Sequence, residues 1–182
     1  MPISEFRTHT LAMRFQHWDR DRNGYIERSD LEEAARRVGE AFGQPADSPE
    51  QLTLTRSCQE LWQTLVRHAD VDLDGRISQD EYVAAFSSEV MAEPDSFDRL
   101  YRAVLENVVN LADANGDGRL NEEEYLRLMR SWYNADDSDA TAAFRRLDRD
   151  GDGFLTLDEL VRSATEFYLS DDPSLQAPPP RT

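Results

Sequence analysis

The chain has 182 residues, 39% of them hydrophobic, with a mean hydropathy of −0.71 and a formal net charge of −17. That balance, 37 acidic against 20 basic side chains, leaves no basic stripe for a nucleic-acid backbone. One cysteine, Cys58, excludes an internal disulfide framework. No apolar run is long enough to span a bilayer, and Met1–Thr10, carrying Glu5, Arg7 and His9, lacks a signal-peptide core. A cytoplasmic location is the expectation.

In chain order, the first predicted helix carries Leu11, Phe15 and Trp18 on one face. An acidic segment beginning at Asp19 follows, then a helix with Leu31, Ala34, Ala35 and Val38. Gly43-Gln44-Pro45 breaks the chain, and Ser48-Pro49-Glu50-Gln51 restarts it with a cap, a first-turn proline and Gln three residues on. The third helix, with Leu61, Trp62, Leu65, Val66 and Ala69, leads to a second acidic segment at Asp70, and Tyr82, Ala85 and Phe86 mark the helix that leaves it. Pro94 separates that helix from a fifth, carrying Leu105, Val108, Val109 and Ala112 into a third segment at Asp113. Tyr125, Leu128, Met129 and Trp132 follow, and Asn134–Ser138 forms the next break. The seventh helix, with Ala140, Ala143, Phe144 and Leu147, enters a fourth segment at Asp148, and Leu160, Ala164 and Phe167 lie on the eighth. The end, 171–182, has four prolines and little to bury, and reads as a mobile proline-rich tail.

The acidic segments are internal repeats. A calcium ion takes six to eight oxygens from a twelve-residue loop, at positions 1, 3, 5, 7, 9 and 12, with Gly at position 6 and a backbone carbonyl at position 7. Residues 70–81 supply Asp70, Asp72, Asp74, Arg76, Ser78 and Glu81 around Gly75. Residues 113–124 supply Asp113, Asn115, Asp117, Arg119, Asn121 and Glu124 around Gly118. Residues 148–159 supply Asp148, Asp150, Asp152, Phe154, Thr156 and Glu159 around Gly153. Residues 19–30 supply Asp19, Asp21, Asn23, Tyr25, Glu27 and Asp30 around Gly24. At Tyr25, Arg76, Arg119 and Phe154 only the carbonyl is the expected ligand.

The first loop departs from the pattern at position 12. Asp30 is one methylene shorter than Glu, so it reaches an ion less easily with both oxygens. That predicts a lower coordination number and a weaker preference for calcium over Mg2+, which takes six ligands. Position 8 holds Ile26, Ile77, Leu120 and Leu155, apolar residues suited to a short two-stranded contact between neighbouring loops. Positions 9 and 12 read as capping boxes in three loops, Ser78/Glu81, Asn121/Glu124 and Thr156/Glu159, with the chelating Glu in the first helical turn. Glu27 is a poor cap, so the helix leaving the first loop is expected to start weakly. Asp-Gly and Asn-Gly clusters also form ordinary turns, but four in register between amphipathic helices favour metal binding.

Other residues carry less chemistry. His9, His17 and His68 lack the spacing of a metal triad, and Cys58 has no partner for nucleophilic work. Trp18, Trp62 and Trp132 share the phase of the core faces, and Arg36-Arg37 and Arg145-Arg146 read as solvated charges. No Ser–His–Asp set or phosphate-binding loop is present, so an enzyme is not expected.

With the Phe15-Gln16-His17-Trp18-Asp19 junction and four unevenly spaced loops in view, residues 5–170 resemble the calerythrin and sarcoplasmic calcium-binding protein family. The resemblance implies an all-α fold, four EF-hand helix–loop–helix units in two pairs packed into one compact body. One pair spans 1–92 (loops 19–30 and 70–81) and the other 93–170 (loops 113–124 and 148–159). It implies a cytosolic calcium buffer; the loops themselves offer sites for up to four Ca2+, with Mg2+ competing above all in the first, and a monomer is expected. Few methionines and bulky aromatic faces fit a fixed core rather than an adaptable groove. The alternative is a sensor that opens on binding calcium and regulates a protein partner.

Overall fold

A computed structural model describes residues 5–87 and 94–169. Eight helices alternate with four loops among these residues: α1 (Glu5–Trp18), α2 (Arg28–Ala41), α3 (Pro49–Ala69), α4 (Gln79–Ser87), α5 (Pro94–Ala112), α6 (Glu122–Tyr133), α7 (Asp137–Leu147) and α8 (Leu157–Leu169). The fold is all-α, as the helical periodicity predicts. Its only strands are two-residue segments inside the loops, β1 (Tyr25–Ile26), β2 (Ile77–Ser78), β3 (Leu120–Asn121) and β4 (Phe154–Leu155), among the described residues. The tail at 171–182 and the expected boundary at 92–93 lie outside the described residues.

The position-8 side chains decide how the loops pair. β1 lies antiparallel to β2 with Ile26 opposite Ile77, and β3 antiparallel to β4 with Leu120 opposite Leu155. All four are at most 1% exposed. Each thus pins its strand pair into the core beneath it, and the loops come together two by two.

Helix boundaries follow local chemistry. Ser48 caps α3 by accepting from the Gln51 N–H at 3.2 Å, with Pro49 in the first turn. Gln51 does not complete a capping box. Its amide instead donates to the Ala35 carbonyl of α2 at 3.1 Å. A Cβ at Gly39 would lie 1.7 Å from Gln51 Oε1, so Gly39 lets α2 accept this side chain. α6 ends on Asn134 in the left-handed conformation, φ 55°, a residue that tolerates it. α7 then starts at Asp137, inside the segment expected to be a break.

The two loop pairs share one core. α3 packs on α5, α2 on α3 and α6, α5 on α8, and α1 on α4. Asn107 of α5 donates to Ser57 Oγ of α3, and Arg37 Nε of α2 donates to the Ser131 carbonyl of α6 at 3.1 Å. Arg37 therefore departs from the solvated reading: its side chain is 16% exposed and joins the two pairs, while Arg36 stays on the surface. Trp18, Trp62 and Trp132 are all buried, as their helical phase predicts.

At the centre stands Arg14 of α1. Its Nε donates to the Tyr168 hydroxyl at 3.0 Å, and its guanidinium carbon lies 4.4 Å from the Tyr133 ring centre and 4.8 Å from that of Phe167. Desolvation opposes the charge, but Tyr133 and Tyr168 outweigh it and hold the guanidinium protonated. Tyr168 also stacks on Phe86 at 4.9 Å, lies 5.1 Å from Tyr101, and accepts from the Tyr82 hydroxyl at 3.3 Å. Five helices, α1, α4, α5, α6 and α8, meet in this cluster. His17 packs edge-on against Tyr133, and burial together with Arg14 pushes its pKa down to about 4. Cys58 is fully buried and its thiol is pushed up to about 12, which makes it inert packing.

Candidate metal centres

Each loop is wound by the same hydrogen bonds. The position-1 carboxylate accepts from the position-6 glycine N–H: Asp19 from Gly24 at 3.0 Å, Asp70 from Gly75 at 3.0 Å, Asp113 from Gly118 at 2.7 Å and Asp148 from Gly153 at 3.0 Å. Position 3 accepts from the N–H of position 5, as Asp72 does from Asp74 and Asn115 from Asp117. Position 5 in turn accepts from the N–H of position 7, as Asn23 does from Tyr25 at 2.8 Å. The turn needs φ between 80° and 87° at Gly24, Gly75, Gly118 and Gly153, a region costly for any residue with a Cβ.

These bonds gather oxygens. One carboxylate oxygen each from Asp70, Asp72 and Asp74 lies within 4.8 Å of the others, and the same holds for Asp148, Asp150 and Asp152. Loops 19–30 and 113–124 carry Asn at position 5 and position 3 respectively, so neither gathers three carboxylates at positions 1, 3 and 5; Glu27 at position 9 restores a fourth carboxylate to the first loop, while the third loop has three. The donor set is all oxygen, with no His or Cys, which fits a hard cation such as Ca2+ or Mg2+.

Position 12 separates the first loop from the rest. Glu81 accepts with one oxygen from the exit of its loop, Ser78 N–H at 2.9 Å, and with the other from the entrance, Val71 N–H at 2.9 Å. Glu124 spans from Asn121 N–H at 3.0 Å to Ala114 N–H at 3.0 Å. Glu159 spans from Thr156 N–H at 2.9 Å to Arg149 N–H at 3.2 Å. In return the Glu81, Glu124 and Glu159 N–H groups donate to Ser78 Oγ, Asn121 Oδ1 and Thr156 Oγ1, which completes the three capping boxes expected from sequence. Asp30 accepts from Glu27 N–H at 2.8 Å, at the exit, and no bond to the entrance of its loop is seen among the described residues. The missing methylene leaves this loop clasped at one end. Asp30 does hold the start of α2, so that helix begins more firmly than Glu27 alone suggests. Burial, with repulsion from Asp21, Asp19 and Glu27, pushes the Asp30 carboxyl up to about 6. A bound cation would relieve that cost.

One feature of the loops is not visible in the ligand pattern. Position 4 adopts the left-handed conformation throughout, at Arg22 (φ 59°), Leu73 (φ 61°), Gly116 (φ 75°) and Gly151 (φ 73°). Leu73 is 84% exposed, so it gains no packing in return. Leu73→Gly is expected to stabilise the protein by about 0.5–1 kcal/mol, since the left-handed cost to a side chain exceeds the entropy cost of glycine. A higher urea midpoint at unchanged slope would show it.

The comparisons with known proteins agree with this geometry. Residues 9–87 match the model of an EF-hand domain pair, 139–167 that of an EF-hand domain and 110–129 that of an EF hand. Calerythrin of Saccharopolyspora erythraea is 32% identical over 97 residues, 53% of this chain and 55% of calerythrin, so the match spans about half that relative's length. A Streptomyces coelicolor calcium-binding protein, described in connection with calcium-mediated regulation, is 31% identical, with a TM-score of 0.82 over 90% of this chain and 98% of its own. Calcium-loaded apo-aequorin from Aequorea victoria, at 18% identity, shares the fold with a TM-score of 0.73 over 94% of both chains. With paired loops, an all-oxygen donor set and a relative alike over nearly its whole length, the chain belongs to the calerythrin-like family of EF-hand calcium-binding proteins.

Proposed function

We propose that this protein is a calcium buffer with up to four sites, one of which also takes magnesium. The ligands would be the side chains of Asp19, Asp21, Asn23, Glu27 and Asp30; of Asp70, Asp72, Asp74, Ser78 and Glu81; of Asp113, Asn115, Asp117, Asn121 and Glu124; and of Asp148, Asp150, Asp152, Thr156 and Glu159. The carbonyls of Tyr25, Arg76, Arg119 and Phe154 complete the sets. Bound calcium supplies positive charge that offsets carboxylate repulsion within each loop and adds stability by mass action, about 2.7 kcal/mol per site at a hundredfold excess over its Kd.

The observation that carries the buffer reading is the shared aromatic core. Tyr82, Phe86, Tyr101 and Tyr168 close the apolar faces of both loop pairs on one another, where a sensor needs a groove that opens. The printed description of the Streptomyces relative, calcium-mediated regulation, favours the second reading, a sensor that acts on a protein partner. Titration in the presence of a dye that brightens on apolar surface separates the two. A buffer gives little change in emission with calcium; a large rise with calcium and none with magnesium overturns it. A monomer in the cytoplasm fits the buffer reading, and no helix among the described residues is long and apolar enough to cross a membrane.

The one-ended clasp of Asp30 makes the metal preference of the first loop testable. Asp30→Glu should raise calcium affinity there relative to magnesium by about tenfold, the worth of one further charged ligand contact. Competition titration of the two metals measures it, and an unchanged ratio removes the role given to position 12.

A further inference from the structure

In both loop pairs an arginine at position 7 crosses to the neighbouring loop and lies on an aromatic ring at position 7 there. The Arg76 guanidinium carbon is 4.0 Å from the centre of the Tyr25 ring, and that of Arg119 is 4.0 Å from the centre of Phe154. The strand register allows this. Asn121 faces Phe154 and Tyr25 faces Ser78, so each arginine sits diagonally across from its ring, a separation that a long side chain spans. The pairs differ in where the charge goes. Arg76 bonds Asp74 of its own loop at 2.9 Å, whereas Arg119 Nη1 bonds Asp152 Oδ2 of the neighbouring loop at 3.1 Å. The other Asp152 oxygen, Oδ1, accepts from the Phe154 N–H.

We infer that Arg119 is a positioning residue that couples the third and fourth loops, so that filling one eases filling of the other. The inference rests on the calcium-binding reading above. The Arg119 carbonyl belongs to the third site, while its guanidinium holds both the position-5 carboxylate and the position-7 ring of the fourth. A cation that fixes the Arg119 backbone therefore narrows the freedom of Asp152 and Phe154, and part of the ordering cost of the fourth loop is met before its ion arrives. The positive charge of Arg119 also opposes a cation at the fourth site, so affinity alone does not isolate the coupling. A double-mutant cycle does.

The Gly118 and Gly153 N–H groups, which donate to Asp113 and Asp148, report each loop separately by NMR during calcium titration of the full chain. Glu124→Gln weakens the third loop, and the factor by which this in turn weakens the fourth is the coupling. Adding Arg119→Leu should shrink that factor by about two- to fivefold, the worth of one half-exposed cation–π and ion-pair contact. Phe154→Leu, which removes the ring and leaves the ion pair, should shrink it in part. An equal factor with and without Arg119→Leu overturns the inference. So does a fourth loop indifferent to Glu124→Gln. If neither glycine responds to calcium in the unaltered protein, the calcium reading of these loops falls together with the coupling.

Discussion

Tyr168→Ala should destabilise the calcium-loaded protein by about 3–5 kcal/mol, the range for deleting a fully buried aromatic side chain. Tyr168 is 0% exposed and touches Phe86, Tyr101, Tyr82 and Arg14 from α8. Its loss opens a cavity where five helices meet and removes the hydroxyl that accepts from Arg14 Nε. A half-buried guanidinium without that acceptor adds a cost beyond lost packing. Tyr168→Phe keeps the ring and removes the hydroxyl, so it should cost about 1–3 kcal/mol. Urea unfolding at saturating calcium separates the two variants. A loss below about 1 kcal/mol for Tyr168→Ala would mean that the cluster does not tie the loop pairs together.

Glu159→Gln, Glu81→Gln and Glu124→Gln should each weaken calcium binding in their own loop by about 10- to 100-fold, since one charged contact is worth about 1.5–3 kcal/mol. The geometry gives the reason. Each glutamate clasps both ends of its loop, as Glu159 does from Thr156 to Arg149. Gln retains an acceptor but loses the negative charge and one of the two equivalent oxygens. Asp30→Asn should cost less, because Asp30 holds only the exit of its loop. Calorimetric titration of each variant gives the comparison. If Asp30→Asn and Glu159→Gln weaken binding equally, the distinction drawn between the first loop and the others fails.

Much of this was legible in the sequence, because an EF-hand loop is a local object. Twelve consecutive residues contain its candidate ligands, its obligatory glycine and its capping glutamate, so Asp70–Glu81 declares itself without reference to the rest of the chain. The helices around the loops are legible for the same reason: their apolar faces repeat within a few residues. The apolar position 8 likewise foretold strand pairing, and Ile26 opposite Ile77 and Leu120 opposite Leu155 bear that out.

What only the tertiary structure decided involves residues far apart in the chain. Arg14 and Tyr168 stand 154 positions apart, and nothing in either neighbourhood marks the other. Arg37, beside Arg36 in the sequence, read as a solvated charge, yet the Ser131 carbonyl that it reaches belongs to another helix. Gln51 has the spacing of a capping residue, but α2 offers it the Ala35 carbonyl instead. Side-chain hydrogen bonds are settled by whichever acceptor the packed helices bring nearest, and helix packing is a property of the whole chain. Local ligand chemistry is written in order along the sequence. The joining of the two loop pairs into one body, and the crossing of Arg119 onto Phe154, exist only once the helices have packed.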